Sequence, residues 1–116
     1  MNAPTCKNCK ELNKYLPILT EEFYRVTKNG KNIFKAKFNQ DEIMLGREVY
    51  NFYPAPTLEE LLKASPIVFH LMNFLGNKIA FDTYFHGKYL VIQITKSENL
   101  CNNIAKIILK YYKELK

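Results

Sequence analysis

Glycine is scarce in this chain, arginine is scarcer and tryptophan is absent: there are four glycines, and Arg25 and Arg47 are the only arginines. So few glycines leave no glycine-rich phosphate loop, and no nucleophile elbow, paired-histidine zinc helix or kinase signature occurs. No apolar run approaches the roughly 20 residues needed to cross a bilayer. The richest, Ile67 to Leu75, is broken by His70 and Asn73. The stretch MNAPTCKNCKELNKYL lacks an apolar core of signal-peptide length followed by a small-residue cleavage site. A cytoplasmic protein that does not enter a membrane is expected.

Cysteine is limited to Cys6, Cys9 and Cys101, which cannot all pair, so a secreted disulfide framework is not expected. Cys6 and Cys9 have the C-x-x-C spacing of half a zinc site, and only Cys101, His70 and His86 remain to complete it. A closed tetrahedral site normally brings a second tightly spaced pair, which is missing here. A thioredoxin-like motif would follow a buried strand, and this one does not. Cys6 and Cys9 are therefore read as reduced thiols near a helix start, and neither a metal nor a cofactor is expected.

What is present is a globular composition: 116 residues, 47% hydrophobic, 14% aromatic and 24% charged. That suits one domain over residues 1–116, burying roughly 65% of the surface its unfolded chain would expose. The formal charge is +6, almost all of it from lysine, whereas planar bidentate recognition of phosphate favours arginine. The excess reads first as solvated surface and second as a basic binding face.

Along the chain, Leu12, Tyr15 and Leu16 fall at helical spacing, predicting a helix over Cys6 to Leu16 that Pro17 stops. Phe23 to Phe38 reads as a hairpin around Asn29-Gly30. A three-residue loop, Lys28-Asn29-Gly30, gathers Tyr24, Val26, Phe34, Ala36 and Phe38 on one face and leaves Arg25, Thr27, Lys35 and Lys37 facing water. A two-residue loop instead sets Tyr24 against Lys35 and Arg25 against Phe34, so the three-residue loop is expected. The run IMLGREVYNFY has no sustained period and is read as a strand around Glu48 to Phe52.

Pro54 and Pro56 then hold the backbone extended, which postpones helix formation to Thr57. Thr57 and Glu60 match a capping box, and Leu58, Leu61 and Leu62 give a short helix a face to bury before Ser65-Pro66 ends it. Ile67 to Leu75 is read as a strand, with a helix as the alternative. A two-residue turn at His86-Gly87 places Ile79, Phe81, Thr83, Phe85, Leu90, Ile92 and Ile94 on one face. Asp82, Tyr84, Tyr89 and Gln93 fall on the other. Ser97 is the expected cap of a closing amphipathic helix with Leu100, Ile104, Ile107, Ile108, Tyr111 and Leu115 as its stripe. The fold class is α+β, a small two-layer domain with helices on a mostly antiparallel sheet.

No catalytic residue is assigned. The pairs Glu21-Glu22, Asp41-Glu42 and Glu59-Glu60 are neighbours in sequence, which seldom converge as an acid and a base, and read as surface charge with Glu60 as a cap. Asp82 and His86 share a strand face, but a histidine in a tight turn is read as an exposed turn residue. His70, inside an apolar run, is expected to pack against the core. The binding candidates are Tyr84, Lys88 and Tyr89 on the exposed side of the second hairpin, where aromatic rings beside cations suit base stacking. Lys106, Lys110 and Lys113 on the closing helix join them.

The segments CKNCKELNKYL, TEEFYRV and YPAPTLEELLKA, followed by an amphipathic helix, resemble small uncharacterised proteins of bacteriophages, prophages and mobile elements of low-GC and Bacteroides-like bacteria. The aromatic-Pro-Ala-Pro-Thr-Leu segment, within Tyr53 to Leu62, is the motif-like part of that resemblance. It implies no catalytic residue. It implies a non-enzymatic protein-binding module that occupies the surface of a host protein, such as an inhibitor of CRISPR or another defence system. The alternatives are a nucleic-acid-binding accessory protein using lysines and exposed tyrosines and, third, a small enzyme or zinc-binding protein. Sheet edges leave the oligomeric state open.

Overall fold

The computed structural model describes residues 3–95 and 99–115, with side chains of 71–75 left aside. Among these residues the chain forms four helices and six strands, arranged as two three-stranded antiparallel sheets. The class is α+β. No helix among the described residues is long and apolar enough to cross a membrane.

The first helix, α1 (Cys6–Leu12), is capped by Thr5, whose hydroxyl accepts from Asn8 N, and is shorter than the leucine spacing suggests. Tyr15 and Leu16 nonetheless pack on the core from the turn that follows. Strands β1 (Glu22–Thr27), β2 (Ile33–Lys37) and β3 (Tyr50–Pro54) form the first sheet in the order β2-β1-β3.

The first hairpin departs from expectation. Tyr24 pairs with Lys35 and Arg25 with Phe34, the register of a two-residue loop rather than a three-residue one. Directly paired residues share a face, so Tyr24 and Val26 are separated from Phe34 and Ala36. The mixed face is stable because the Arg25 guanidinium lies 5.3 Å from the Phe34 ring centroid, 5.7 Å from Phe38 and 4.7 Å from Tyr50. Such cation–π contacts are worth about 0.5–1 kcal/mol each at exposed sites. The turn adds its own constraint: Gly30 N donates to Thr27 O at 2.8 Å, and Asn32 N donates to Thr27 Oγ1 at 3.2 Å.

Between β2 and β3 a helix, α2 (Gln40–Gly46), replaces the irregular segment expected there. Asn39 and Glu42 form its capping box. Its end rests against β3, where a Cβ on Gly46 would lie 2.9 Å from Phe52 Cζ. The strand that follows runs Tyr50–Pro54, two residues later than expected.

The proline lead-in and the helix α3 (Leu58–Ala64) match the sequence reading. Thr57 Oγ1 accepts from Glu60 N at 3.2 Å, and Glu60 Oε1 accepts from Thr57 N at 2.9 Å. The same Oε1 accepts from Thr20 Oγ1 at 2.9 Å, tying the cap to the approach of β1. Ala55 and Pro56 are buried, and Cys101 Sγ donates to Pro56 O at 3.6 Å.

The second sheet contains β4 (His70–Leu75), β5 (Lys78–Phe85) and β6 (Lys88–Thr95) in that order. Its hairpin has the expected register, Tyr84 opposite Tyr89 and Phe81 opposite Ile92. His86 and Gly87 carry φ of 50° and 80°, the positive values a two-residue type I′ turn requires.

The helix α4 (Leu100–Glu114) is capped by Asn99, whose side chain accepts from Asn102 N; Ser97 lies outside the described residues. Leu100, Cys101, Ile104, Ala105, Ile108 and Leu109 are buried, and they form the core with Leu12, Leu61, Ile79, Phe81 and Ile94. Leu115, expected on the stripe, is exposed and forms the C-cap beyond the last helical residue.

Two caps and one core position provide a stability test. Thr57→Ala and Asn39→Ala are each expected to lower unfolding free energy by about 1 kcal/mol in denaturant titrations. Leu61→Ala, at a fully buried site, is expected to cost about 2–5 kcal/mol.

Candidate functional site

The second hairpin and α4 link the predicted binding residues through neighbouring clefts and one ring contact. Because the His86-Gly87 turn puts Tyr84 opposite Tyr89, the two rings meet edge-to-face with centroids 5.7 Å apart. They remain 71% and 54% exposed, so both retain accessible ring surface. Tyr89 Oη donates to Asp82 Oδ2 at 3.2 Å, which fixes its ring on the strand.

Lys88 and Tyr89 line a cleft of ≈ 270 Å³ together with Phe85, Leu90, Ile107 and Lys110. On the adjoining face of α4, Lys106, Lys110 and Lys113 line a second cleft of ≈ 390 Å³ with Asn8, Leu109 and Glu114. Lys110 belongs to both, so the lysine stripe is continuous with the hairpin. Tyr84 lies on the other side of the turn, in a cleft with His70, His86 and Tyr111.

The histidines do not form the acid/base arrangements considered from sequence. His86 Nε2 is 3.3 Å from Glu114 Oε2, and its ring stacks on Tyr111 with centroids 5.1 Å apart. Asp82 engages Tyr89 instead. His70 is exposed rather than packed in the core, as its side of β4 places it opposite Asp82 on the outer face of the sheet.

The C-x-x-C pair sits on α1, where Cys9 is buried and Cys6 half-exposed. Cys9 Sγ donates to Pro4 O at 3.6 Å. No group of three His, Cys, Asp or Glu side chains close enough to hold a metal ion occurs among the described residues. Burial pushes the Cys9 thiol up to about 12, helped by neighbouring Cys6 and Cys101. Burial likewise raises Cys101 to about 12 against the opposing charge of Lys35, and raises Cys6 against Lys10.

A second surface was not singled out from the sequence. The Arg25 face of the first sheet carries Phe34, Phe38, Tyr50 and Phe52, with Phe38 and Phe52 edge-to-face at 5.3 Å. Phe34 is 54% exposed, and α2, seated beside Phe52, exposes Met44 and Leu45 at 56% and 84%. No carboxylate lies within ion-pair distance of Arg25 among the described residues. The signal was the Arg25–Phe34 pairing, which read as a conflict between polar and apolar residues.

Compared with known proteins, the chain matches no family model, no curated protein and no solved structure.

The thiols provide a test that does not depend on any partner. At a pH of about 8, Cys6 is expected to react with iodoacetamide in the folded protein while Cys9 and Cys101 react only on unfolding. The folded pKa values of Cys9 and Cys101 lie above the ordinary 9.0, so their contribution is complete below that pH and is lost as pH rises towards about 12. Denaturation midpoints are expected to fall across that alkaline window, and to fall less steeply in Cys9→Ala.

Proposed function

We propose that this chain is a non-enzymatic protein-binding module that acts by occupying the surface of a partner, as its resemblance to phage and mobile-element proteins implies. An inhibitor of a host defence system belongs to that class. The observation that carries the reading is the exposed aromatic and aliphatic face around Arg25. Large exposed apolar groups gathered with an arginine are what protein interfaces concentrate at their centres. The guanidinium stacks on rings and has no carboxylate partner of its own among the described residues. It is thus available to a partner's acid while its aromatic neighbours supply contact area.

A second reading, nucleic-acid binding, is favoured by the basic end of the molecule. Lys88, Lys106, Lys110 and Lys113 converge there without a carboxylate in ion-pair distance among the described residues, beside the exposed rings of Tyr84 and Tyr89. Backbone-directed lysines with stacking rings suit a single strand without base-specific readout.

Capture from a bacterial host lysate, with and without nuclease, separates the two. The protein-binding reading expects one partner retained after nuclease, with Phe34→Ala/Arg25→Ala weakening its capture by about 2 kcal/mol or more, measured below the melting temperature that loss of the cation–π contacts lowers. Capture that vanishes with nuclease, falls steeply with salt and is lost in Lys106→Glu/Lys110→Glu establishes the second reading instead. Recovery of neither a protein nor nucleic acid sinks both.

A further inference from the structure

We propose that the open edge of β2 docks an extended, acidic segment of a partner protein, which adds to the first sheet as a fourth strand. This rests on the protein-binding reading and names the chemistry of the partner.

The direction of each backbone group follows from the ladder. Thr27 N donates to Asn32 O at 3.1 Å, and Phe38 N donates to Glu21 O at 3.3 Å. Hydrogen-bonded and non-hydrogen-bonded pairs alternate between antiparallel strands. In the observed register Phe34 and Ala36 therefore turn their N–H and C=O towards β1, while Ile33, Lys35 and Lys37 turn theirs outward. β2 is an edge strand whose residues are exposed, apart from half-buried Ala36. The opposite edge, β3, ends in Pro54, which has no N–H to offer. A template of outward donors and acceptors therefore runs along β2.

Charge selects the occupant. Lys35 and Lys37 share one face, and their Nζ atoms reach Glu22 and Glu21 only at 4.0 and 3.8 Å. Lys31, just before the strand, has no carboxylate within ion-pair distance among the described residues. A second copy added antiparallel and centred on Lys35 or Ala36 would set lysine against lysine, and like charges directly opposite are destabilising. Edge lysines of this kind oppose self-association, yet the same pattern attracts acids. The alternate positions, Phe34 and Ala36, present the apolar side beside Arg25. The complementary segment alternates acidic with apolar residues.

The probe is a synthetic peptide of about eight residues alternating glutamate and valine, long enough to span the strand. Titration into the full chain is expected to give saturable binding and to slow amide exchange at Ile33, Lys35 and Lys37 by at least about tenfold. Lys35→Gln/Lys37→Gln is expected to weaken binding by about tenfold through loss of two cross-strand charge pairs. A peptide N-methylated on the amides that face the sheet is expected not to bind. The proposal is overturned if those three amides exchange as before, if the methylated peptide binds as well, or if β2 is instead occupied by a second copy in sedimentation and cross-linking. Partner capture that depends on Phe34 and Arg25 while the three amides stay unchanged would overturn the edge proposal and leave the protein-binding reading standing.

Discussion

Everything else in the molecule depends on the burial of one side of α4. Ile104 and Ile108 are completely shielded from solvent, with Leu12 from α1, Leu61 from α3 and Phe81 from β5 in the same cluster. Burying a side chain of this size contributes about 1.5–3 kcal/mol, so this stripe is the largest favourable contribution at any one element. The first sheet adds little to that cluster. It is held by the buried Val26, by packing of β3 near α1, and by the hydrogen bond from Tyr24 Oη to Pro4 O at 2.6 Å. The radius of gyration, 15.4 Å, exceeds the roughly 13 Å expected of a compact chain this long, as befits a sheet carried outside the main core.

That division separates the two candidate surfaces. The lysine and tyrosine end belongs to the sheet that α4 covers, so its geometry is stiffened by the core behind it. The Arg25 face belongs to the outlying sheet, where aromatic rings pack around a guanidinium and only the end of α2 lies against them. An aromatic cluster there replaces a hydrophobic core with partly solvated stacking.

The parts legible in sequence are those governed by local rules. The Thr57–Glu60 box, the proline approach and the His86-Gly87 register all depend on a few adjacent residues, and the structure shows them as read. The Asn39–Glu42 box obeys the same rule but was not read, and α2 was missed with it, because Ile43, Met44 and Leu45 do not recur at helical spacing. The first hairpin was misread because alternation of polar and apolar residues ignores that a guanidinium can lie on rings as comfortably as in water. His70 depended on which side of β4 lies with Asp82 on the outer face of the sheet, a tertiary fact. In the candidate site, the tyrosine pair followed from the turn, but the approach of Lys88 to Lys110 depended on how the hairpin lies across the helix.

The attachment of α1 to α4 also has a temporal side. Thr5 N donates to Asn102 Oδ1 at 3.0 Å, and Asn99 Nδ2 donates to Ala3 O at 2.9 Å, spanning separations of 97 and 96 residues. Contacts this distant in sequence raise the contact order and slow folding relative to local ones. α1 precedes α4 in the chain and cannot take its full place in the core until α4 has followed. The hairpin contacts of the outlying first sheet are local and carry no such delay, so the two parts of the molecule differ in the length of chain over which their contacts must close.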